Sequence, residues 1–411
     1  MEKIALIVQR YGLEVNGGAE YHCRILAEKL SSLFEVEILT SRALDHATWA
    51  NEYPEGETSI NGITVRRFSA AQERDQREVR RLSKKLGKRS IGHKILRFFG
   101  LPDQIGKLPD ADMEKDSYDL ARAQGPFVPD LISYLENNQQ HYSALIFFTY
   151  LYFPTIYGLR VAPHKSILIP TAHDESAIYL PGFKSFFKLP GVILYNTQAE
   201  KDFVKGVFGN GDIYSAIAGV GIERVQPEKT YHSIDILKSA DPYFIYIGRI
   251  DKGKGCQMMI DYFLKYKKGV NNQVKLVLVG KPFMKIPVSD DIISLGFVDE
   301  DIKQAVLKDA IALIIPSFFE SLSLVTLESM LAGVPVIANR NSVVLKNHIE
   351  DSGAGFTFDD FESFRLALDS LVQHKEDLLV LKKNAESYVT RNYNWEVVLD
   401  KFKRAVAYIK G

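Results

Sequence analysis

The sequence predicts two α/β domains, each built on a parallel sheet with helices on both faces. Two observations predict this fold class. The chain has 411 residues, of which 46% are hydrophobic and 25% charged, and this length exceeds what a single hydrophobic core usually supports. Short apolar runs rich in β-branched residues alternate with amphipathic stretches of helical length. This alternation is typical of doubly wound parallel sheets.

Six apolar runs in the N-terminal half are interpreted as buried strands. They lie at residues 4–8, 36–40, 63–68, 144–148, 167–170 and 192–195. The first run is too short for the apolar region of a secretory signal, and Gln9 and Arg10 follow it at once, so we interpret it as the first strand of the sheet.

The same alternation restarts after a polar stretch at residues 223–241. Further strands are predicted at residues 243–247, 274–279, 292–295, 312–315, 334–338 and 355–358. We therefore predict an N-terminal domain over residues 1–225 and a C-terminal domain over residues 226–394. The final amphipathic helix, residues 395–411, could pack in either domain, including back on the N-terminal one. Because parallel sheets bind ligands beyond the carboxyl ends of their strands, we expect the site in a cleft between the domains.

Composition excludes several classes of protein. Lys plus Arg and Asp plus Glu each total 51, so net charge gives no general attraction to nucleic acid, and no such partner is expected. Cys23 and Cys256 are the only cysteines, which favours a reducing compartment and argues against a cysteine-rich zinc site. The most apolar longer stretch, residues 144–159, falls short of the roughly 20 residues that a membrane-spanning helix needs. We therefore expect a cytoplasmic protein.

Gly17 and Gly18 precede an amphipathic helix, after the first predicted strand. Glycines in this place let backbone N–H groups approach a phosphate, and the N-terminus of the helix favours negative charge. The spacing lacks the full GxGxxG pattern, and Glu20 could simply complement the helix dipole. A flexible turn before a helix is therefore the alternative interpretation.

A loop with three glycines and three cations, Gly-Arg-Ile-Asp-Lys-Gly-Lys-Gly at residues 248–255, follows the predicted strand at 243–247. Arg249 offers a planar fork to phosphate oxygens, and Lys254 adds a point charge. The segment lacks the GxxxxGK[ST] pattern because Cys256 follows it, which disfavours a P-loop nucleotidase. We predict a phosphate-binding loop, and a solvated charged turn is the alternative.

Two carboxylates follow the strand predicted at residues 312–315, one in a loop and one in a helix. Glu320 lies in the loop, at the mouth of the expected cleft. Ser323 is predicted as the N-cap of the helix, which would leave the N–H groups of Leu324 and Val325 free to meet an anion. Glu328 lies one to two turns further on among apolar residues, where an unpaired carboxylate would be costly unless a hydroxyl or cation satisfied it. A solvent-facing Glu328 is the alternative.

Glu320 and Glu328, with seven residues between them and Ala-Gly-Val-Pro-Val-Ile-Ala at 332–338 after them, resemble the Glu-x7-Glu signature of retaining GT-B glycosyltransferases of family 4, the glycosyl transferases group 1. The two glycine-containing segments fall where that family has them, so the resemblance covers essentially the whole chain. It implies two Rossmann-like domains facing each other across a cleft. The N-terminal domain would bind the acceptor, and the C-terminal domain would bind a nucleotide-sugar donor.

The resemblance also implies roles for individual residues. Glu328 would hold the ribose hydroxyls, Glu320 would lie against the donor sugar, and Arg249 and Lys254 would neutralise the departing diphosphate. His173 would contact the transferred sugar, although an isolated histidine is more often structural. The expected catalytic residues are His173, Arg249, Lys254 and Glu320, and the expected donor-binding residues are Gly17, Gly18, Gly248, Val298, Ser321, Leu322, Ser323, Leu324, Val325 and Glu328.

The sequence departs from the family at residues 320–323, where Glu-Ser-Leu-Ser stands in place of the frequent Glu-Gly-Phe-Gly. Backbone donation survives this change, but the added side chains narrow the pocket, so the donor sugar is not predicted. The resemblance implies a retaining, metal-independent hexosyltransferase that uses a nucleotide diphosphate sugar, with UDP favoured, and needs no cofactor.

Asp110-Ala111-Asp112 spells the DxD pattern of another glycosyltransferase fold, and we interpret it as a polar loop.

A saccharide or a lipid-linked saccharide is the expected acceptor, in the synthesis of surface polysaccharide, exopolysaccharide or glycoconjugate. Two alternatives remain: a nucleotide-sugar epimerase with the GT-B fold, and a catalytically inactive nucleotide-sugar-binding protein. An epimerase would act without an acceptor. Retention of both glutamates, Arg249 and Lys254 speaks against the inactive protein.

Residues 74–97 contain ten Lys or Arg and only two acids, which leaves a local charge of +8. Such a basic, amphipathic profile is typical of interfacial helices. Our hypothesis is that this stretch binds an anionic acceptor, or the inner face of the cell membrane around it, and a solvated helix is the alternative. The residues expected to make this contact are Arg80, Arg81, Lys84 and Lys85.

Overall fold

The computed structural model describes residues 1–15, 17–86, 111–224, 241–270, 273–373 and 375–411. Two compact units divide these residues: Met1–Val220 together with Glu396–Gly411, and Gly221–Trp395. Each unit is built on a Rossmann-like sheet, so the predicted fold class is confirmed. Most of the polar stretch at which we predicted the domain joint, residues 225–240, lies outside the described residues.

The first unit contains one eight-stranded sheet. Its strands are β1 (Lys3–Ile7), β2 (Glu35–Ser41), β3 (Gly56–Ile60), β4 (Ile63–Phe68), β5 (Ala144–Phe148), β6 (Ser166–Ile169), β7 (Val192–Tyr195) and β8 (Tyr214–Ile217). They are ordered β3-β4-β2-β1-β5-β6-β7-β8, and only the β3–β4 pair is antiparallel. We did not predict β3 and β8, because these edge strands are partly exposed and lack a continuous apolar run.

The helices of the first unit connect successive strands of this sheet. They are α1 (Gly18–Leu30), α2 (residues 76–86), α3 (Ala111–Gln124), α4 (Pro129–Asn138), α5 (Phe153–Gly158), α6 (Gly182–Phe186) and α7 (Gln198–Phe208). Local sequence fixes the ends of α7: the Thr197 hydroxyl accepts the N–H of Glu200 at 3.1 Å, and Gly209 terminates the helix in the left-handed conformation.

A six-stranded parallel sheet forms the second unit. Its strands are β9 (Tyr243–Ile247), β10 (Lys275–Val279), β11 (Ile292–Gly296), β12 (Leu313–Ile315), β13 (Val336–Asn339) and β14 (Gly355–Phe358), in the order β11-β10-β9-β12-β13-β14. Its helices are α8 (Cys256–Gly269), α9 (Glu300–Lys308), α10 (Leu324–Leu331), α11 (Val343–Ser352), α12 (Phe361–Gln373) and α13 (Lys375–Asn392). All six strands that we predicted for this half are present.

The final helix, α14 (Trp395–Lys410), belongs to the first unit from Glu396 onward. Its periodic apolar residues Val398, Phe402 and Val406 are buried. Near its end, the ring of Tyr408 stacks on Tyr214 of β8 with 4.4 Å between ring centroids. The helix therefore returns to the N-terminal sheet after the chain has completed the second one.

Within the described parts of the chain, none of the helices has both the length and the apolar composition needed to cross a bilayer. Cys23 and Cys256 are both free thiols and both buried.

Two glycines bring the backbones of neighbouring loops together at the carboxyl edge of the second sheet. Gly248 and Gly280 follow β9 and β10 with φ values of +148° and +138°. A Cβ atom on Gly280 would lie only 1.9 Å from the carbonyl oxygen of Gly248. Because backbone cannot yield as a flexible side chain can, this position requires glycine.

We expect Gly280→Ala to destabilise the protein by more than the roughly 1–3 kcal/mol of a strained φ alone, since the added Cβ also overlaps backbone. Gly269, the last residue of α8, provides the matched control, because a Cβ atom added there would meet nothing within 4 Å. Gly269→Ala should leave stability unchanged or raise it by up to about 1 kcal/mol. Urea unfolding of the two variants makes the comparison, and equal midpoints would contradict the close-approach argument.

Candidate functional site

The loop between β9 and α8, residues 248–255, is anchored by its own backbone. Tyr246 donates its hydroxyl to the carbonyl oxygen of Arg249 at 2.7 Å. The Asp251 carboxylate accepts the N–H of Lys254 at 2.8 Å, and Ile250 is fully buried. These contacts fix Arg249 and Lys254 at the carboxyl edge of the sheet, so the predicted phosphate loop is an ordered turn.

Lys254 joins this loop to the one that precedes α10. Its ammonium lies 2.7 Å from a carboxylate oxygen of Glu320, whose side chain is 16% exposed. The Arg249 guanidinium remains 42% exposed and lies 3.5 Å from Asp251. The structure therefore brings three of the four predicted catalytic residues to one edge of the second unit: a paired lysine, its glutamate and a more exposed arginine.

The start of α10 differs from our prediction. Ser323 occupies the N-cap position, but its side chain caps no backbone N–H because the residue adopts a left-handed conformation, with φ +62° and ψ +74°. Its hydroxyl instead lies 2.9 Å from the hydroxyl of Thr326. The N–H groups of Leu324 and Val325 belong to the first turn, which has no intrahelical acceptors, so an anion-accepting helix start remains available.

Glu328 is held by a lysine that we did not predict. Its carboxylate lies 2.8 Å from the ammonium of Lys303 on α9, and its side chain is only 11% exposed. The solvent-facing alternative for Glu328 is therefore wrong. Lys303 also lies 2.8 Å from Glu300, one turn earlier on the same helix. Burial lowers the pKa of Lys303, but the carboxylates of Glu328 and Glu300 raise it by more, so its pKa lies above its ordinary value.

A buried histidine supports the loop between Glu320 and α10 from behind. Nε2 of His348 donates to the carbonyl oxygen of Leu322 at 2.9 Å, and Nδ1 lies 2.9 Å from the hydroxyl of Tyr388. Burial lowers the pKa of His348, which favours the neutral ring. Since a carbonyl oxygen only accepts, the ring proton lies on Nε2, and Tyr388 donates to Nδ1.

The remaining predicted donor-binding residues of the second unit lie along the same edge. Val298 is half-buried between β11 and α9, beside the exposed ring of Phe297. Asp299 then caps α9 by accepting the N–H of Ile302 at 2.9 Å. Ser321 is half-buried and Leu322 is buried. These loops and Gly248 all follow the carboxyl ends of parallel strands, as expected for a ligand site in this class of sheet.

In the first unit, Gly17 and Gly18 lie at the start of α1 as predicted. A Cβ on Gly17 would lie 2.0 Å from the carboxylate of Glu20, whereas one on Gly18 would meet nothing within 4 Å. Glu20 does more than complement the helix dipole, because it forms a buried pair with Arg10 at 2.6 Å. Gly17 thus makes room for this ion pair, and the space in front of Gly18 is open.

His173 follows β6 in the first unit and is partly exposed. Its Nε2 lies 3.6 Å from the carboxylate of Glu175, which in turn accepts the hydroxyl of Tyr150 at 2.6 Å. The preceding Thr171 has a positive φ of 51°. The histidine is therefore oriented by an acidic neighbour on an irregular turn, and not packed in the core.

Glu200 anchors the turn that carries His173. We did not predict this role from the sequence. Its buried carboxylate accepts the N–H of Ala172 at 2.5 Å and that of Asn196 at 2.6 Å. Thr197-x-x-Glu200 has the spacing of a capping box, and this spacing could have indicated a glutamate that reaches back from the first turn of α7. Burial raises the pKa of Glu200 to about 8, although its backbone N–H donors oppose the shift.

The raised pKa of Glu200 predicts a pH dependence. The unfolded state loses this proton near its ordinary pKa of 4.5, whereas the folded state keeps it up to about 8, so stability contributed by the group is present below pH 4.5 and lost as pH rises to 8. Urea midpoints measured from pH 5 to pH 8.5 should therefore fall for the wild type relative to Glu200→Gln. The exposed Glu136→Gln is the control and should track the wild type; parallel curves for Glu200→Gln and wild type would contradict the prediction.

The Lys303–Glu328 pair predicts that removing one partner destabilises the protein more than removing both. Lys303→Met leaves a largely buried carboxylate without this cation and should destabilise the protein by about 1–3 kcal/mol, less than for a fully buried pair because some exposure remains. The double variant Lys303→Met, Glu328→Met should recover part of that loss, since no unpaired charge is left. Lys308→Met, exposed on the same helix, should be nearly neutral in urea unfolding. If Lys303→Met alone is as stable as the wild type, the Lys303–Glu328 pair does not contribute to stability.

Two of the four cations predicted on α2 to contact an acceptor or a membrane form ion pairs within the chain. Arg81 pairs with Glu78 at 2.5 Å and Lys85 pairs with Asp116 at 2.7 Å, so two of the four named cations are engaged within the chain. Arg80 and Lys84 are exposed. The rest of the basic stretch, residues 87–97, lies outside the described residues.

We predicted that the DxD pattern at residues 110–112 is a polar loop, and the structure contradicts this for Asp112. α3 begins at Ala111, so Asp112 lies in a helix, while Asp110 lies outside the described residues.

Comparisons with known proteins agree with this architecture. Residues 228–388, less than half of the chain, match the family model described as glycosyl transferases group 1. A protein of Methanocaldococcus jannaschii described as an uncharacterized glycosyltransferase is 22% identical over 96% of this chain and 95% of its own.

Among solved structures, sucrose-phosphate synthase from Thermosynechococcus elongatus is 16% identical, with a TM-score of 0.68 over 98% of both chains. HepE of Anabaena, in complex with UDP and glucose, is 12% identical, with a TM-score of 0.67 over 99% of this chain and 100% of its own. At these identities the likeness shows the fold, which is that of the GT-B glycosyltransferases. The match to the family model and the full-length relative support a glycosyltransferase.

Proposed function

We propose that this protein is a retaining glycosyltransferase that moves a hexose-type sugar from a nucleotide diphosphate sugar to a saccharide or lipid-linked saccharide. The observation that carries the proposal is a pair of lysine–glutamate contacts, one in front of α10 and one between α9 and α10. Lys254 with Glu320, and Lys303 with Glu328, place two cations and two carboxylates at the edge where the strands end. The matched family model covers this same region.

The two ion pairs suit the two ends of such a donor. The cations Arg249 and Lys254 match the negative charge of a diphosphate, while Glu328 offers carboxylate oxygens to ribose hydroxyls. Glu320, already in contact with Lys254, would accept bonds from the donor sugar. UDP is the favoured nucleotide, and the HepE structure in complex with UDP and glucose supports this choice.

The reaction requires stabilisation of the charge that develops on the departing diphosphate. Arg249 and Lys254 supply fixed positive charge there, and an ordered loop does so without reorganisation during transfer. In this proposal the acceptor hydroxyl attacks from the front face and passes its proton to the departing phosphate, so the anomeric configuration is retained. His173 contacts the transferred sugar, and neither a metal nor a cofactor is needed.

Acceptors of this kind are used in the synthesis of surface polysaccharide, exopolysaccharide and other glycoconjugates. The proposal therefore places the protein in the cytoplasm, with α2 as its contact to an anionic acceptor or to the inner face of the cell membrane. The exposed Arg80 and Lys84 support that contact. An epimerase with the same fold is the second candidate, and it differs in converting the nucleotide sugar to its epimer without an acceptor.

We expect UDP or a UDP-sugar to raise the melting temperature more than GDP, ADP or their sugars. A ligand at a hundred times its dissociation constant adds about 2.7 kcal/mol of stability. Arg249→Ala and Glu328→Ala should each abolish the shift because they remove a phosphate and a ribose contact. Arg391→Ala, exposed on α13 of the same unit, should retain it.

If no nucleotide or nucleotide sugar shifts the melting temperature, the donor site is assigned wrongly. Retention is checked separately by the anomeric proton signals of the product, which should match those of the donor. Conversion of the nucleotide sugar to its epimer without added acceptor would favour the epimerase, whereas nucleotide release that depends on added acceptor favours the transferase.

A further inference from the structure

The first unit contains an apolar cavity of about 890 Å³ that has no role in the site described above. Helices α2, α3 and α5 and the segment at residues 177–189 line it. Its apolar walls include Leu86, Leu120, Ile156, Leu180 and Phe183. This volume lies in the range of roughly 300–1,000 Å³ that is usual for small-molecule sites, so the cavity is large enough to hold a ligand.

Charge at the cavity is of one sign. Among the described residues that line it, Lys115 and Arg160 are cations and none is an acid. Both cations are solvent-exposed, so they lie at the margin of the cavity. The Arg160 guanidinium is held over the ring of Tyr157, 4.9 Å from its centroid. An apolar interior with cations at its margin is complementary to an apolar chain that ends in an anionic group.

The wall of the cavity is connected to the turn that carries His173. Glu175 lies 3.6 Å from His173 and accepts the hydroxyl of Tyr150. The ring of Tyr150 packs edge-on against Phe183, with 4.9 Å between centroids, and Phe183 lines the cavity. A chain bound in the cavity would therefore lie one layer of side chains away from the predicted sugar-contacting histidine.

We propose that this cavity binds the apolar chain of a phosphate-linked saccharide acceptor, with Lys115 and Arg160 at the phosphate. The inference rests on the proposed function, which supplies the sugar that such an acceptor would receive. It commits to a single lipid phosphate molecule and not to a bilayer surface, because a cavity surrounds one chain whereas a bilayer meets an exposed face.

Alkyl phosphates of increasing length, used with the full chain below their micelle-forming concentrations, test the cavity by calorimetric titration. Each buried CH2 contributes about 0.8 kcal/mol, so affinity should rise roughly fourfold per carbon from butyl to octyl phosphate. Octanol, which has the chain without the charge, should bind more weakly than octyl phosphate. Equal affinities for butyl and octyl phosphate would overturn the proposal.

Two variants assign the binding to this cavity. Ser83→Trp, on the inner face of α2 and in the cavity wall, should lower the affinity for octyl phosphate at least tenfold. Gln76→Trp, exposed on the same helix, is the matched control and should bind as the wild type does. Lys115→Ala should weaken octyl phosphate and leave octanol unchanged, and it keeps the test valid if the tryptophan in the wall prevents folding. Unchanged affinity in both Ser83→Trp and Lys115→Ala would overturn the proposal.

Two further measurements separate related ideas. Binding to vesicles that contain phosphatidylglycerol, without binding of any alkyl phosphate, would overturn the cavity in favour of a membrane surface. UDP binding is measured on the same samples. A wild-type protein that binds UDP but no alkyl phosphate contradicts this inference alone, whereas a wild-type protein that binds alkyl phosphate but no nucleotide contradicts the proposed function.

Discussion

The site of the second unit depends on one constraint: every strand of a parallel sheet delivers its carboxyl end to the same edge. The loops after the neighbouring strands β9 and β12 therefore meet, through Lys254 and Glu320, although they are far apart in sequence. Backbones at this edge approach so closely that Gly280 has no room for a Cβ beside Gly248. Charged side chains from neighbouring loops can therefore reach one another, as Lys254 and Glu320 do.

The charges at this edge are neutralised in pairs across different elements. Lys254 of the loop after β9 contacts Glu320 of the loop after β12, and Lys303 of α9 contacts Glu328 of α10. Partly buried pairs of this kind contribute little net stability, because desolvation offsets most of their attraction. Their value is geometric. Each pair holds a cation and a carboxylate in fixed positions, which is the arrangement that the proposed donor site requires.

The first unit uses buried carboxylates for a different purpose. Glu37 accepts Lys3, Arg66 and Tyr142 at 2.8–2.9 Å and is almost wholly buried, so it connects β2 to three neighbours. Glu200 accepts backbone N–H groups and fixes the His173 turn. Several groups of the protein satisfy each of these carboxylates, whereas Glu320 and Glu328 each contact a lysine of another element. The first two anchor the fold, whereas the last two are the carboxylates of the proposed donor site.

Sequence alone determined the fold class, the buried strands and the segments at the carboxyl edge, because period and composition are local properties. It also predicted Arg249, Lys254, Glu320 and Glu328 as site residues, since each follows a recognisable strand. It missed the edge strands β3 and β8, which lack a continuous apolar run, and it placed a side-chain cap at Ser323, where the backbone is left-handed. Only tertiary structure decided that Lys303 faces Glu328, that His348 supports Leu322, and that α14 packs in the first unit. Those contacts join residues 25, 26 and some 190 positions apart, and no local pattern specifies which distant groups a folded chain brings together.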